Sequence, residues 1–410
     1  MEGKTVLFVG AGRHQRKAIR RVLELGVRVV AVDRNAEAPG LADATVGEAV
    51  DFQDLDAVVA VGRRHAVDGV MTVSADRAVP IVAALAEQLG LPGIGSEAAR
   101  RVTHKVAMRR ALGDAGVAQP RFAALRSLQE TRSAAETVGF PAVLKAADSA
   151  GQRGLFRVDS LEQLDRALPL ALAESTRQEA ILESYHAGAE VNVLAVARGS
   201  EVSVLTLSDR VRPAGVGFGV ATAHVYPAAL DLTTRTEVER VATHAIHALG
   251  LENAIAYPQL LVCDDGVIRV VELAARIPGG QMAAVAELGA GIDMVELQTR
   301  LALGETIPPS LVRPRFEQPL AISFLTASPG ALPVGRVRAV GPLDVARAAP
   351  GVVHVETYIE PGETIRPVQR DGDRRGFVIA TGATGADALR RAEAASRLID
   401  VHVEPVEVTA

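Results

Sequence analysis

QLLVCDDGVIRVVELAARIPGG, Gln259 to Gly280, carries two apolar runs on either side of Asp264-Asp265-Gly266. Asp-Gly between alternating apolar residues predicts a β-hairpin. A loop at Asp265-Gly266 pairs Asp264 with Val267, Leu261 with Val270 and Gln259 with Glu272. Directly opposed residues share a face of the sheet. One face then reads Gln259, Leu261, Cys263, Ile268, Val270, Glu272: an apolar floor with two oxygen ligands at its open end. Arg276 and the turn Pro278-Gly279-Gly280 follow at once. Hard oxygen ligands beside a cation suit Mg²⁺ with phosphate. An exposed surface hairpin is the plainer alternative.

Upstream, the chain opens as alternating strand and helix. Thr5–Val9 reads as a buried strand, followed by Gly10-Ala11-Gly12, a helix over 14–25 and a strand over 27–32 with Asp33 at its tip. The turn resembles a dinucleotide fingerprint, but Gln15 stands where the third glycine belongs. A helix over 53–62, a strand over 69–73 and a helix over 79–89 continue the alternation, and LGLPGIGS predicts a short strand and a turn. This is the pattern of a parallel sheet covered by helices. Ser96 then caps a single long helix reaching the break at Gly113–Gly116.

The remainder reads as α+β. Strands are expected at 140–147, 155–158, 180–183, 190–197 and 202–208, with helices over 131–138, 161–175 and 232–249. RPAGVGFG, 212–219, is a glycine-rich loop, and one helix is predicted over 281–302, closed by Gly304. From about Pro314, short strands and a helix over 386–399 describe a small α+β domain. The expected division is 1–100, 101–315 and 316–410.

The chain has 410 residues, 48% of them hydrophobic, so its cores can be well buried. A net charge of −5 and 3% aromatic content argue against nucleic-acid or anionic-membrane partners. With Cys263 as the lone cysteine there is no intrachain disulfide and no cysteine metal site. No apolar run approaches the roughly 20 residues of a membrane span, and no signal-peptide pattern is present, so a cytoplasmic protein is expected.

Four polar clusters stand out. Lys105 lies in the helix opening the middle region. Lys145 interrupts an apolar strand and calls for an anionic partner unless that strand is an edge. Asp148–Gly154 is a glycine-bearing turn, read either as a phosphate-binding nest or as an ordinary β-turn. Glu183 and Glu190 flank the connector at Gly188 and face either a nucleotide or solvent.

The order Lys105, Lys145, glycine loop, Glu183/Glu190, Glu272/Arg276 resembles the ATP-grasp superfamily. AGRHQ (11–15), AVDRN (31–35), DGVMTVSADRAVP (68–80), LGLPG (89–93) and THKVAMRRAL (103–112) look like its carboxylate–amine ligase branch. That branch holds the bacterial L-amino acid ligases and is related to carbamoyl phosphate synthase and biotin carboxylase. PGVVHVETYIEPGETIRPVQRDGDRRGFVIATG (350–382) looks like an amino acid ligase C-terminal domain. The resemblance implies an ATP-grasp fold behind an N-terminal Rossmann-like parallel-sheet domain. It implies ATP and one or two Mg²⁺ (or Mn²⁺) as cofactors, small carboxylate and amine substrates, and a homodimer. Lys105, Lys145 and the loop bearing Ser149, Gly151 and Gly154 would hold phosphates. Ser184 and His186 would read adenine through backbone groups, Glu183 its amino group, and Glu190 the ribose. Glu272, with a weaker Gln259, would bind metal. Arg276 and Lys145 would be catalytic, and Arg210, His224, Arg276, Gly279 and Gly280 would line the substrate. The reaction implied is amide formation through an acylphosphate. Gln259 and Ala274 depart from the usual acid and Glu-x-Asn-x-Arg pattern. A degenerate ATP-binding module with little ligase activity is therefore the alternative, and an NAD oxidoreductase rests on GAGRHQ alone.

Overall fold

The computed structural model describes residues 1–213 and 217–405. The glycine-rich loop expected at 212–219 lies partly outside them, at Ala214, Gly215 and Val216. Strands β1 (Thr5–Val9), β2 (Arg28–Asp33), β3 (Val46–Ala49) and β4 (Gly69–Met71) form a parallel sheet in the order β3-β2-β1-β4. Valine-rich strands buried on both faces belong to such a sheet. The helix Arg16–Glu24 covers one face with Ala18, Ile19 and Val22. Gln15 is buried and its Nε2 donates to Val73 O at 2.8 Å. Asp33 accepts from Ala11 N–H at 2.9 Å. The acid that a nicotinamide dinucleotide's ribose would need is thus spent on the loop itself.

Two helix expectations change. The segment 96–114 is two helices, Ser96–Thr103 and Lys105–Asp114, broken at His104 with φ −126° and ψ 105°. Gly95, not Ser96, occupies the N-cap. The His104 ring accepts from Ala107 N–H at 3.3 Å and so caps the second helix. The break places Lys105 in a first turn, where its own N–H donates to Ala147 O at 2.7 Å. The segment 281–302 also divides. Met282–Ala284 runs into a π-turn over Val285–Gly289, and a second helix, Met294–Leu303, starts at Asp293. Asp293 accepts from Val295 and Glu296 N–H, and Gly304 closes the helix at φ 66°. No strand forms over 91–95, where Pro92 lacks a donor and Gly95 sits at φ 77°.

Next come β5 (Phe122–Leu125), β6 (Ala142–Ala146), β7 (Leu155–Val158) and β8 (Ala180–Ser184). They form an antiparallel sheet in the order β5-β8-β6-β7, backed by the helices Thr131–Val138 and Leu161–Ala173. The larger sheet uses β9 (Gly188–Arg198), β10 (Glu201–Val211), β11 (Ala223–Tyr226), β12 (Asn253–Cys263), β13 (Ile268–Ala274) and β14 (Leu320–Phe324). After β15 (Gly335–Val340) it adds β16 (Val352–Thr357), and after β17 (Thr364–Ile365) it adds β18 (Gly376–Thr381). Its eight strands run β13-β12-β9-β10-β11-β14-β18-β16. The sheet therefore continues through the expected boundary at 315/316. β15, β17 and β19 (Val401–Glu404) make a separate small sheet.

The β12–β13 hairpin forms with a different register at its tip. Cys263 N–H donates to Val267 O, so Asp264-Asp265-Gly266 is the loop, with Gly266 at φ 79°. Leu261 then pairs with Arg269 and Leu260 with Val270. A bulge at Val271 restores the pairing of Gln259 with Glu272. A one-residue slip reverses every side chain. Ile268 and Val270 therefore leave the expected floor for the core that also holds Leu260, and Arg269 and Val271 join Leu261, Gln259 and Glu272 on the open face.

Candidate active site

A cleft lies between the four-stranded antiparallel sheet β5-β8-β6-β7 and the eight-stranded sheet. Lys105, Lys145, Ser149, Gly151, Glu183, Ser184, His186, Glu190, Arg210, Gln259 and Glu272 all line it. Gly154 does not. At φ 65°, it packs beneath the loop, where an added Cβ would sit 3.1 Å from the Ala146 Cβ.

Lys145 is held by β6 and points its ammonium at Glu183, 2.7 Å away. Glu183 is 2% exposed, and its other oxygen accepts from Arg109 Nε at 2.7 Å. Burial alone would raise this carboxyl; Arg109 and then Lys145 reverse that and hold it at about 2. Both oxygens that were expected to meet an adenine amino group are thus engaged by cations. Glu190, expected at a ribose, likewise pairs with Arg210 at 3.0 Å and Arg212 at 3.1 Å. The Ser184 hydroxyl accepts from Arg121 N–H and lies 2.9 Å from His186 Nε2. The N–H groups of Ser184 and Tyr185 donate to Arg121 O and Pro141 O. The His186 N–H has no partner among the described residues.

Lys105 Nζ donates to Ser149 O at 2.5 Å and sits 3.8 Å from Glu272 Oε1. Among the described residues the buried Ser149 Oγ has no hydrogen-bond partner. An orphaned donor beside an ammonium, on a loop with positive φ at Gly151 and Gly154, suits an anion. Gln152 on the same loop also has φ 59°. With its amide oriented by its neighbours, it donates to Asp371 at 2.7 Å.

Glu272 and Gln259 provide one carboxylate and one amide oxygen on opposed strands. Among the described residues no group of three acidic, histidine or cysteine side chains converges on a metal position. This donor set fits one divalent ion completed by phosphate and water oxygens. It does not supply a second.

The other expected residues gather beyond Gln259. Arg276 meets Asp76, with Nε–Oδ1 2.8 Å and Nη2–Oδ2 2.6 Å. Burial would raise the Asp76 carboxyl, but Arg276 and Lys105 outweigh it and hold the group below its ordinary value. His224 Nδ1 lies 3.1 Å from Asn192 Nδ2, and Tyr257 OH donates to Asn192 Oδ1 at 2.8 Å. The amide so oriented gives His224 an Nε2–H tautomer. That nitrogen faces Gly280, where an added Cβ would come within 3.1 Å. Gly279 lies against Ser74. Burial, then Arg210 and Arg374, lower the His224 pKa well below its ordinary value. Arg109, Asp76, Asn192 and Asp371 were not singled out from the sequence. Arg109 and Asp76 lie within THKVAMRRAL and DGVMTVSADRAVP, one helical turn after Lys105 and beside the first sheet.

The description "Carbamoyl-phosphate synthase L chain, ATP binding domain" matches residues 101–310, just over half of the chain. "ATP-grasp N-terminal domain" matches 22–93, and "L-amino acid ligase C-terminal domain 2" matches 331–404. A formate-dependent phosphoribosylglycinamide formyltransferase of Synechococcus is 26% identical, covering 97% of both chains. An uncharacterized Sinorhizobium fredii protein is also 26% identical, over 96% of this chain and 81% of its own. The crystal structure of L-amino acid ligase from Bacillus licheniformis superposes with TM-score 0.84 at 20% identity, over 99% of this chain and all of that one. The chain belongs to the carbamoyl-phosphate synthase L chain ATP-binding domain family, among the ATP-grasp ligases.

Proposed function

We propose that the protein joins a small carboxylate to an amine at the expense of ATP, with an amino acid on at least one side. The observation that carries this reading is the meeting of Lys105, Lys145 and Glu272 in one cleft, below a glycine-bearing loop. Phosphoryl transfer asks chiefly for positioning and charge neutralisation. Lys145 and Lys105 face the phosphates, with Ser149 closing over them. The uncommitted His186 N–H donates to the adenine edge. Glu272 and Gln259 hold the divalent ion, which when bound neutralises phosphate charge. A substrate carboxylate oxygen bonds to the γ-phosphorus as the bridging P–O bond to ADP breaks. The amine nitrogen then bonds to the acyl carbon, phosphate leaves with the C–O electron pair, and the nitrogen sheds a proton. Arg276, held by Asp76, and the Nε2–H of His224 orient the acyl group beside Gly279 and Gly280.

The match of 331–404 to an L-amino acid ligase C-terminal domain favours amino acid substrates. Phosphate release with paired amino acids, followed by mass spectrometry, tests this. A new amide product with one ADP per bond is expected. ADP formation with carboxylates but never with an amine would overturn it. Gln259 and Ala274 favour a second reading, a nucleotide-binding module with little turnover. That reading requires the native chain to bind ADP yet release no phosphate with any pair, and Gln259→Glu with Ala274→Asn to create turnover.

A further inference from the structure

Arg109 stands in the middle of the molecule with its side chain 2% exposed. It lies one turn after Lys105 in the helix Lys105–Asp114. Its guanidinium makes three short bonds. Nε donates to Glu183 at 2.7 Å, Nη1 to Val270 O at 2.8 Å and Nη2 to Val271 O at 2.7 Å. Glu183 belongs to the antiparallel sheet β5-β8-β6-β7 and both valines to the eight-stranded one. Consecutive carbonyls in a regular strand point to opposite sides. Here the bulge at Val271 lets one side chain reach both. Glu272 is the next residue along. On the other side, Glu183 passes the link on to Lys145.

We infer that Arg109 is a positioning residue that fixes Lys145 and Glu272 at a set separation across the cleft. The inference rests on the reading of that cleft as the nucleotide site. Lys145 and Glu272 ride on different sheets, so nothing in either strand's own geometry sets their distance. The planar fork of Arg109 does, because its three bonds share one rigid plane. An ammonium is a point donor and cannot hold a carboxylate and two successive carbonyls together. Arg109 touches no substrate; it acts through Glu183 and through the bulge.

Arg109→Lys is the first test, read in three ways. Amide hydrogen exchange should quicken by about tenfold or more at both 143–146 and 269–272, without any ligand present. ADP affinity by calorimetry should stay within about threefold, because among the described residues Arg109 has no hydrogen bond to the connector at 184–190. Turnover should fall by about 100-fold with little change in the KM for ATP. Faster exchange on one sheet only, or undiminished turnover, would overturn the inference. If Arg109→Lys fails to fold, Glu183→Gln replaces it. That variant keeps the side-chain shape but cannot accept from both cations, and the same split between kcat and KM is expected. The double variant Arg109→Met with Glu183→Leu removes both buried charges. Low turnover in a folded double variant supports positioning, whereas near-native turnover would reduce Arg109 to charge balance and overturn it. A native chain that binds no adenine nucleotide would sink the reading of the cleft, and the exchange measurement would still judge the link between sheets.

Discussion

Arg276 and Asp76, 200 residues apart in the chain, grip each other at two points, 2.8 and 2.6 Å. The parallel-sheet region thereby supplies the partner that orients an arginine of the β12–β13 hairpin. Val73 and Ile277 form a β-bridge beside the pair, and Ser74 N–H donates to Ile277 O at 3.0 Å. Asp76→Asn keeps the shape but loses one charge-assisted acceptor. We expect turnover to fall about tenfold to 100-fold while ADP affinity changes less than threefold. Steady-state kinetics beside calorimetry checks this; a parallel loss of both would assign Asp76 to nucleotide binding instead.

Lys145→Met removes the ammonium and leaves Glu183 with Arg109 alone. Turnover should drop by about three orders of magnitude if this ammonium neutralises the transferring phosphate, as proposed above. The fold should persist, because Arg109 still satisfies the carboxylate. Circular dichroism and phosphate release decide the matter, and full ADP release by this variant with the true substrates would remove Lys145 from the chemistry.

Gln259→Glu adds a second carboxylate directly opposite Glu272. Divalent-ion affinity should rise by about tenfold, since a charged oxygen replaces a neutral one at a half-exposed position. Titration of Mn²⁺ followed by electron paramagnetic resonance, with ADP present, measures this without relying on turnover. Unchanged affinity would show that the pair does not face the ion.

His224 gives a pH dependence of defined sign. Burial first, and then Arg210 and Arg374, lower its folded-state pKa well below 6.5. Below 6.5 the unfolded chain takes up a proton that the folded chain refuses. Its contribution to stability is therefore complete above that pH and is lost as pH falls, at up to about 1.4 kcal/mol per pH unit. The thermal midpoint should drop between pH 7 and pH 5, and His224→Gln should flatten that slope. An equal slope in the variant would place the acid sensitivity elsewhere.

Much of the fold is legible from local pattern. The helix Val79–Leu89 and the helix Thr131–Val138 fall at their expected bounds, and an interior lysine at 145 does find its anion. What escapes local reading depends on distant partners. The bulge at Val271 is stabilised by Arg109, 162 residues away, so no count along the hairpin could reveal it. The helix break at His104 has neither proline nor glycine; a cap from the histidine ring and a 2.9 Å contact of its Nε2 with the Glu179 carboxylate support it. Asp76 and Arg109 look like ordinary surface charges until the chain closes around them. The sequence order of the lysines and acids carries the family, while the partner of each is a tertiary fact.

The run of the large sheet through 315/316 also bears on how this protein can be divided. β14 pairs with β11 from Ala223↔Ser323 to Tyr226↔Leu320, and β18 and β16 extend the ladder outward. A chain shortened to its first 315 residues would leave β11 as a raw margin of unpaired N–H and C=O groups. Such a margin recruits strands from other molecules. The segment after residue 315 is therefore a selvedge, woven into the eight-stranded sheet and keeping it from fraying into aggregates. Recombination that swaps this segment between relatives has to match a strand register as well as a substrate.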